Sequence, residues 1–333
     1  MLQKKLIGLT TTIPVEIIFA SKYIPCDLNN LFITDEDPLH YVEMAEKDGF
    51  PRSICNWVKG IYGVIVEKKI ETVITVMEGD CSNTRALAEV LTYKGIRVIP
   101  FSYPYDRDRK ALRREIEKLM HELSVEKKEL AEVEKDVEQV RLTIEVIDRM
   151  TWLEKIITGY EYHLWLVRSS DMLGDYNRYN EMARSFINSI NERSMIEGIN
   201  IGYIGVPPIL LDLYRVVEEN GAHIVFNETQ RQFSLPYFSK DIIERYVLYT
   251  YPYGIFFRIM DIKREIRRRK IKGLIHYVQA FCYRVMEDII LRDALDIPFI
   301  TIEGDPPKKL DARTKMRIEA FIEMLKERTE SDE

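Results

Sequence analysis

Apolar positions fall in short continuous runs separated by stretches whose period is helical. Residues 4–19, KKLIGLTTTIPVEIIF, predict a short apolar strand, a turn at Pro14 and the start of a helix. Residues 50–68 predict a helix begun by Pro51, with Cys55 in its first turns. The segment TVITVMEGDCSNTRALAEVLTYKGIRVIPFSYP predicts a buried strand (Thr72–Met77), a turn, a helix (Ser82–Lys94) stopped at Gly95, and a strand (Arg97–Phe101). An apolar strand, a helix and a second apolar strand make a right-handed βαβ unit in a parallel sheet.

From Tyr105 to Thr158 the chain has neither Gly nor Pro, and its charges alternate in sign at helical spacing. This predicts a solvated or bridging helical arm, because the apolar heptad is too irregular for a coiled coil. Helix continues, with breaks, to about Arg193. Beyond it Gly198–Val206 predicts a strand, Pro207 and Pro208 a helix start, Gly221 its end, and Ala222–Phe226 another strand. KGLIHYVQAFCYRVMEDIILRDALDIPFITIEGD then repeats the earlier order of strand, cysteine, helix and strand, ending on Pro298–Ile302. The expected architecture is α/β, with a first lobe at 1–104, a helical connecting region at 105–195 and a second lobe at 196–333.

Composition narrows the function. At 333 residues, roughly two domains are expected. Apolar content of 46% supports a large core, and 48 basic against 54 acidic residues give a net charge of −6, which argues against nucleic acid as the main partner. No run approaches the ~18 apolar residues of a membrane span, and the N-terminus is too weakly apolar for a signal peptide, so a cytoplasmic protein is expected.

Four cysteines, Cys26, Cys55, Cys81 and Cys282, are too few for a disulfide scaffold, and no C-x-x-C pair suggests a zinc ribbon or a redox motif. Buried structural thiols are the simplest account. Their positions suggest another. In open parallel sheets ligands bind beyond the carboxyl ends of strands, where helices begin, and Cys81 and Cys282 fall there, one per lobe. Cys55 lies near the start of its own helix. Helix N-termini favour thiolates, so three thiols could converge in the inter-lobe cleft on an iron–sulfur cluster with one iron left open. Zinc is disfavoured, since no histidine stands at ligand spacing from a cysteine.

The chain resembles the 2-hydroxyacyl-CoA dehydratases, a family that also contains the subunits of ATP-dependent benzoyl-CoA reductase. The similar stretches are IPVEIIFASKYIPCDLNN (13–30), FPRSICNWVKG (50–60), GDCSNTRALAEVL (79–91), HYVQAFCYRVMEDIILRDALDIPFITIEGD (276–305) and ARTKMRIEAFIEML (312–325), in family order. The resemblance implies two flavodoxin-like parallel-sheet lobes flanked by long helices, and a 4Fe–4S cluster in the inter-lobe cleft on Cys55, Cys81 and Cys282, one iron carrying no cysteine. It implies elimination of water from a 2-hydroxyacyl-CoA through a ketyl radical, started by an electron from a separate ATP-dependent iron–sulfur activator. It also implies a dimer with a homologous second subunit or with itself. The chain has no G-x-x-x-x-G-K-[ST], in keeping with ATP being handled elsewhere.

Glu16 matches a family glutamate and is a candidate base or substrate hydrogen-bonder; an ordinary first-turn helix carboxylate is the alternative. Cys26, in a polar loop with Asp27 and Asn29, matches no ligand position; it is a structural thiol or a fourth ligand that would close the open iron. His276 is a core histidine or a substrate-pocket residue. The six aromatics of YVLYTYPYGIFF (246–257) pack the core or wall a substrate site, and KREIRRRKIK (263–272) is a solvated helix end or a dock for CoA phosphates or the activator. Glu303, Asp305 and Arg317 are read as supporting the site or the fold. Competing functions are an ATP-dependent reductase subunit, a double-cubane-like reductase, which would need more thiolates than four cysteines supply, and a non-catalytic iron–sulfur electron carrier.

Overall fold

The computed structural model describes residues 5–239 and 241–331. Strands β1 (Lys5–Leu9), β2 (Tyr23–Asp27), β3 (Thr72–Glu78) and β4 (Arg97–Ser102) form one parallel sheet in the spatial order β2-β1-β3-β4. Strands β5 (Ile199–Gly205), β6 (Ala222–Asn227), β7 (Gly273–Gln279) and β8 (Phe299–Gly304) form a second, in the equivalent order β6-β5-β7-β8. The fold is therefore α/β with two flavodoxin-like lobes. Helices cover both faces of these sheets, so the central strands read as unbroken apolar runs; all seven residues of β7 are buried. In each sheet the strand order reverses between the first and third strands, β1/β3 and β5/β7, and this switch point opens a crevice at the strands' carboxyl ends.

Three details depart from the pattern read along the chain. The helix expected from Pro51 begins at Asn56, because residues 51–54 close a separate turn in which the Ile54 N–H donates to the Pro51 carbonyl (3.1 Å). Cys26 lies inside strand β2, opposite Gly8, and is buried, where a polar loop was expected. Pro25 hides that strand in the sequence; it is tolerated because β2 is the edge of its sheet. The charged central stretch forms four α-helices, Arg109–Glu122, Lys127–Arg149, Gly159–Arg168 and Tyr176–Ile190, broken where Ser124, Lys155 and Leu173 adopt left-handed backbone (φ 56°, 55° and 53°).

These helices are no free arm. Leu112, Ile116 and Leu119 of the first pack on Ile99 and Phe101 of β4. The other three enclose a core of their own around Ile144, Tyr162, Leu166 and Tyr179. One apolar cluster runs across the lobes, from Val58 and Tyr62 to Tyr203, Ile209 and Tyr277. Among the described residues no helix is long and apolar enough to cross a membrane.

Candidate functional site

The carboxyl ends of both sheets face one cavity of about 110 Å3. That is of the order of the ~150 Å3 that accepts a benzene, so the space is large enough for a compact multi-atom group. Thr10 and Thr11 follow β1, Asp27 ends β2, Asp80 and Cys81 follow β3, Val206 and Pro207 follow β5, and Gln279 ends β7. Cys55, Cys81 and Cys282 all line it. Tight backbone brings these turns together. Gly79 (φ 92°) and Gly205 (φ 96°) take left-handed conformations, and a Cβ on Gly205 would stand 2.1 Å from the Tyr277 carbonyl oxygen. Phe281, directly before Cys282, holds φ at 63° without a glycine's freedom, a strain of the kind kept at functional turns.

Each of the three thiols belongs to an N-cap residue. Cys55 caps the helix Asn56–Glu67, Cys81 the helix Ser82–Tyr93, and Cys282 the 3-10 turn Tyr283–Met286, none with a closed capping hydrogen bond. Burial pushes the Cys55 thiol up to about 12; the amides of Trp57 and Val58 oppose this, and Cys81 and Cys282 add to it. Cys81 is raised by burial and by Asp80, against the pull of the Thr84 hydroxyl 3.6 Å from its sulfur. Cys282 is raised by burial, opposed by the backbone N–H and guanidinium of Arg284. Burial thus favours the neutral thiol at all three positions, and a metal binding there would have to displace their protons.

Among the described residues no three His, Cys, Asp or Glu side chains stand close enough to bind a single metal ion. Cys55, Cys81 and Cys282, spread around one cavity, are the thiols that could hold a larger, multi-metal group there. Soft sulfur donors suit an iron–sulfur cluster.

The remaining candidates lie elsewhere. Cys26 does not line the cavity; burial and the carboxyls of Asp171 and Asp27 push its thiol up to about 12, with no helix amide to oppose them. Glu16 is also outside the lining and fully buried, 2.7 Å from Arg141 and accepting a hydrogen bond from the Tyr246 hydroxyl (2.9 Å). His276 is buried in β7 with Nδ1 2.9 Å from Asp288 and Nε2 without a partner, again outside the lining. Of the aromatic run, Tyr246, Tyr249 and Tyr253 are core, while Tyr251 reaches the cavity. Asp305 accepts hydrogen bonds from Asn56, next to Cys55, and from Gln279 (3.3 Å), tying the lobes beside the site. Arg317 donates to the Thr301 carbonyl (2.9 Å).

Asp27, Asp80 and Arg284 also line the site and were not singled out from sequence as cavity residues. Asp80 could have been found, since it follows the carboxyl end of a strand legible in the sequence, whereas Asp27 was hidden together with β2. Behind Asp27 lies Asp171, whose carboxylate accepts the Asp27 N–H (2.7 Å), while Ser170 donates to Asp27 (2.6 Å). Burial and the charge of Asp27 push Asp171 up to about 7. A carboxyl raised above its unfolded value of ~3.9 binds its proton more tightly when folded, so stability falls as pH rises from about 4 towards 7. Asp171→Asn should flatten the pH profile of Tm over that window and raise Tm at pH 8 by roughly 3–6 °C; thermal scans at pH 4, 6 and 8 check this.

Fold and site define a class: two-lobed parallel α/β proteins with a three-thiol cavity at paired switch points. Residues 10–325 match the family 2-hydroxyglutaryl-CoA dehydratase, D-component, and the chain belongs to that family. It is thus a component of the 2-hydroxyacyl-CoA dehydratase type. No curated protein matches the chain significantly.

Proposed function

We propose that the chain is the 4Fe–4S-bearing subunit of a 2-hydroxyacyl-CoA dehydratase-like system, in which water is eliminated from a 2-hydroxyacyl-CoA after one-electron reduction by an ATP-dependent iron–sulfur activator. The observation that carries this is the convergence of three N-cap cysteines from separate segments on one cavity. Cys55, Cys81 and Cys282 are the proposed ligands, and Cys26 stays a structural thiol. A cluster on three cysteines supplies one-electron chemistry and a Lewis-acid position at the iron that carries none.

The chain's own residues prepare the place. Helix-start amides of Trp57, Val58, Asn83, Thr84 and Arg284 favour anionic sulfur. Ile33, Val58, Ile61 and Val167 give the cavity an apolar wall that excludes water. Glu16 and His276, both candidates from sequence, are assigned to the fold, because Glu16 is buried against Arg141 and His276 is buried with its hydrogen-bond partner Asp288, both away from the lining. A homologous second subunit or a second copy completes the system, the lobes being residues 1–104 and 196–333 with helices between.

The cavity's size favours a second reading. About 110 Å3 is small for an acyl-CoA beside a cluster, as suits a non-catalytic iron–sulfur electron carrier. Anaerobic reconstitution with iron and sulfide separates the possibilities. The expected result is four iron and four sulfide per chain, lost on Cys55→Ala, Cys81→Ala or Cys282→Ala and kept on Cys26→Ala. Iron-free wild-type protein sinks the cluster; loss on Cys26→Ala removes the open iron. Acyl-CoA binding to the loaded protein, by calorimetry, favours dehydratase over carrier.

A further inference from the structure

Among the described residues the cavity lining contains one cationic side chain, Arg284, set against the carboxyl groups of Asp27 and Asp80 and the three thiols. We propose that Arg284 is a positioning residue for electron uptake: its fixed guanidinium makes the group held by Cys55, Cys81 and Cys282 easier to reduce. The proposal rests on the cluster reading above.

Arg284 is 5% exposed and is gripped from several sides. It donates to Glu287 (3.1 Å) and to the Tyr251 carbonyl (3.0 Å), and its guanidinium lies over the rings of Tyr251 (4.7 Å) and Tyr283 (5.3 Å). Glu287 is itself paired with Arg258, whose guanidinium holds Glu228 through two bonds (2.6 and 3.0 Å). Glu228 accepts the N–H of Gly205 (2.9 Å), in the turn that ends β5. An alternating chain of two carboxylates and two guanidiniums thus runs from the β5 switch point to the cavity. Its charges balance, but its order does not: the cation is the member that faces the thiols.

Reduction by one electron adds a negative charge to whatever the thiols hold. A buried cation at fixed distance stabilises that charge more than water would, because the surroundings are weakly polarisable and nothing has to reorganise when the electron arrives. Fixed charges and hydrogen bonds beyond the ligands are known levers on cluster potential. The position of Arg284 suits this role: its backbone forms the turn Tyr283–Met286 that follows Cys282, and its guanidinium lines the cavity.

The test uses the full chain reconstituted anaerobically, with iron and sulfide counted first and the midpoint potential then read by EPR-monitored titration. Arg284→Gln is expected to keep the cluster and shift its midpoint to lower potential, and Arg284→Lys to recover part of that shift. Glu287→Gln, which removes the negative charge behind Arg284, is expected to shift the midpoint the other way. If Arg284→Gln loses iron, the sign of the Glu287→Gln shift decides. Unchanged potentials in clusters fully loaded in both variants overturn this proposal alone. Wild-type protein without iron overturns the cluster reading and this proposal together.

Discussion

Glu16→Ala is expected to destabilise the protein by about 3–5 kcal/mol and to leave the iron content of the folded fraction unchanged. The carboxylate is fully buried, 2.7 Å from Arg141, with the Tyr246 hydroxyl on its other oxygen. Burial alone would raise it, but Arg141 and Arg245 outweigh burial and hold it below the usual carboxylate range. Truncation strands the guanidinium of Arg141, itself 7% exposed, without its counter-ion. A lowered carboxyl contributes stability above its unfolded pKa of ~4.3 and loses it as pH falls through the folded value. The gap between Glu16→Ala and wild type should therefore be wide at pH 7 and narrower at pH 3 in urea denaturation. A double variant, Glu16→Leu with Arg141→Met, should recover much of the loss, because a neutral pair leaves no buried charge unpaired. Loss of iron from well-folded Glu16→Ala would return this residue to the site.

Glu16 also marks where reading a sequence stops. As a first-turn acid it invites either a catalytic role or a favourable helix dipole, and neither names its partner. Arg141 lies far along the chain in the helix Lys127–Arg149, and only tertiary packing joins them. Where the physics is local, the chain was readable. The unit β3, Ser82–Tyr93, β4 follows from apolar runs and a Gly stop, and the same unit around Cys282 gave two matched lobes. Local reading placed Cys55, Cys81 and Cys282 at helix starts, and the structure makes all three N-caps of one cavity. Strand β2 was missed because Pro25 imitates a loop, and Cys26 was misplaced with it. Arg284 was missed as a cavity residue because its orientation depends on Glu287 and Tyr251, which no spacing rule connects to a cleft.

The basic run 263–272 provides the second large effect, because one pattern hides two environments. Lys263, Arg264, Arg267, Arg268 and Lys270 are exposed, as a solvated helix end would have them. Arg269 is 1% exposed. It donates to Glu265 (2.8 Å), to the Val225 carbonyl in β6 (2.7 Å) and to Asp148 at the end of the long helix (2.9 Å), between the rings of Trp152 and Phe226. It therefore pins the helical region to the second sheet. Arg269→Met should cost about 3–5 kcal/mol, since Asp148 and Glu265 lose a buried counter-ion, whereas Arg267→Met should stay within about 0.5 kcal/mol. Glu265 adds a pH signature. Burial raises it, but Arg231 and Arg269 prevail and hold it at about 2. Its contribution is present above the unfolded pKa of ~4.3 and fades as pH falls towards 2, so the Arg269→Met deficit should shrink on acidification. Urea melts of the two variants at pH 7 and pH 3 measure both effects. Equal stability of the two would mean that the run is a surface feature throughout, and that the helical region is held to the second lobe by apolar packing alone.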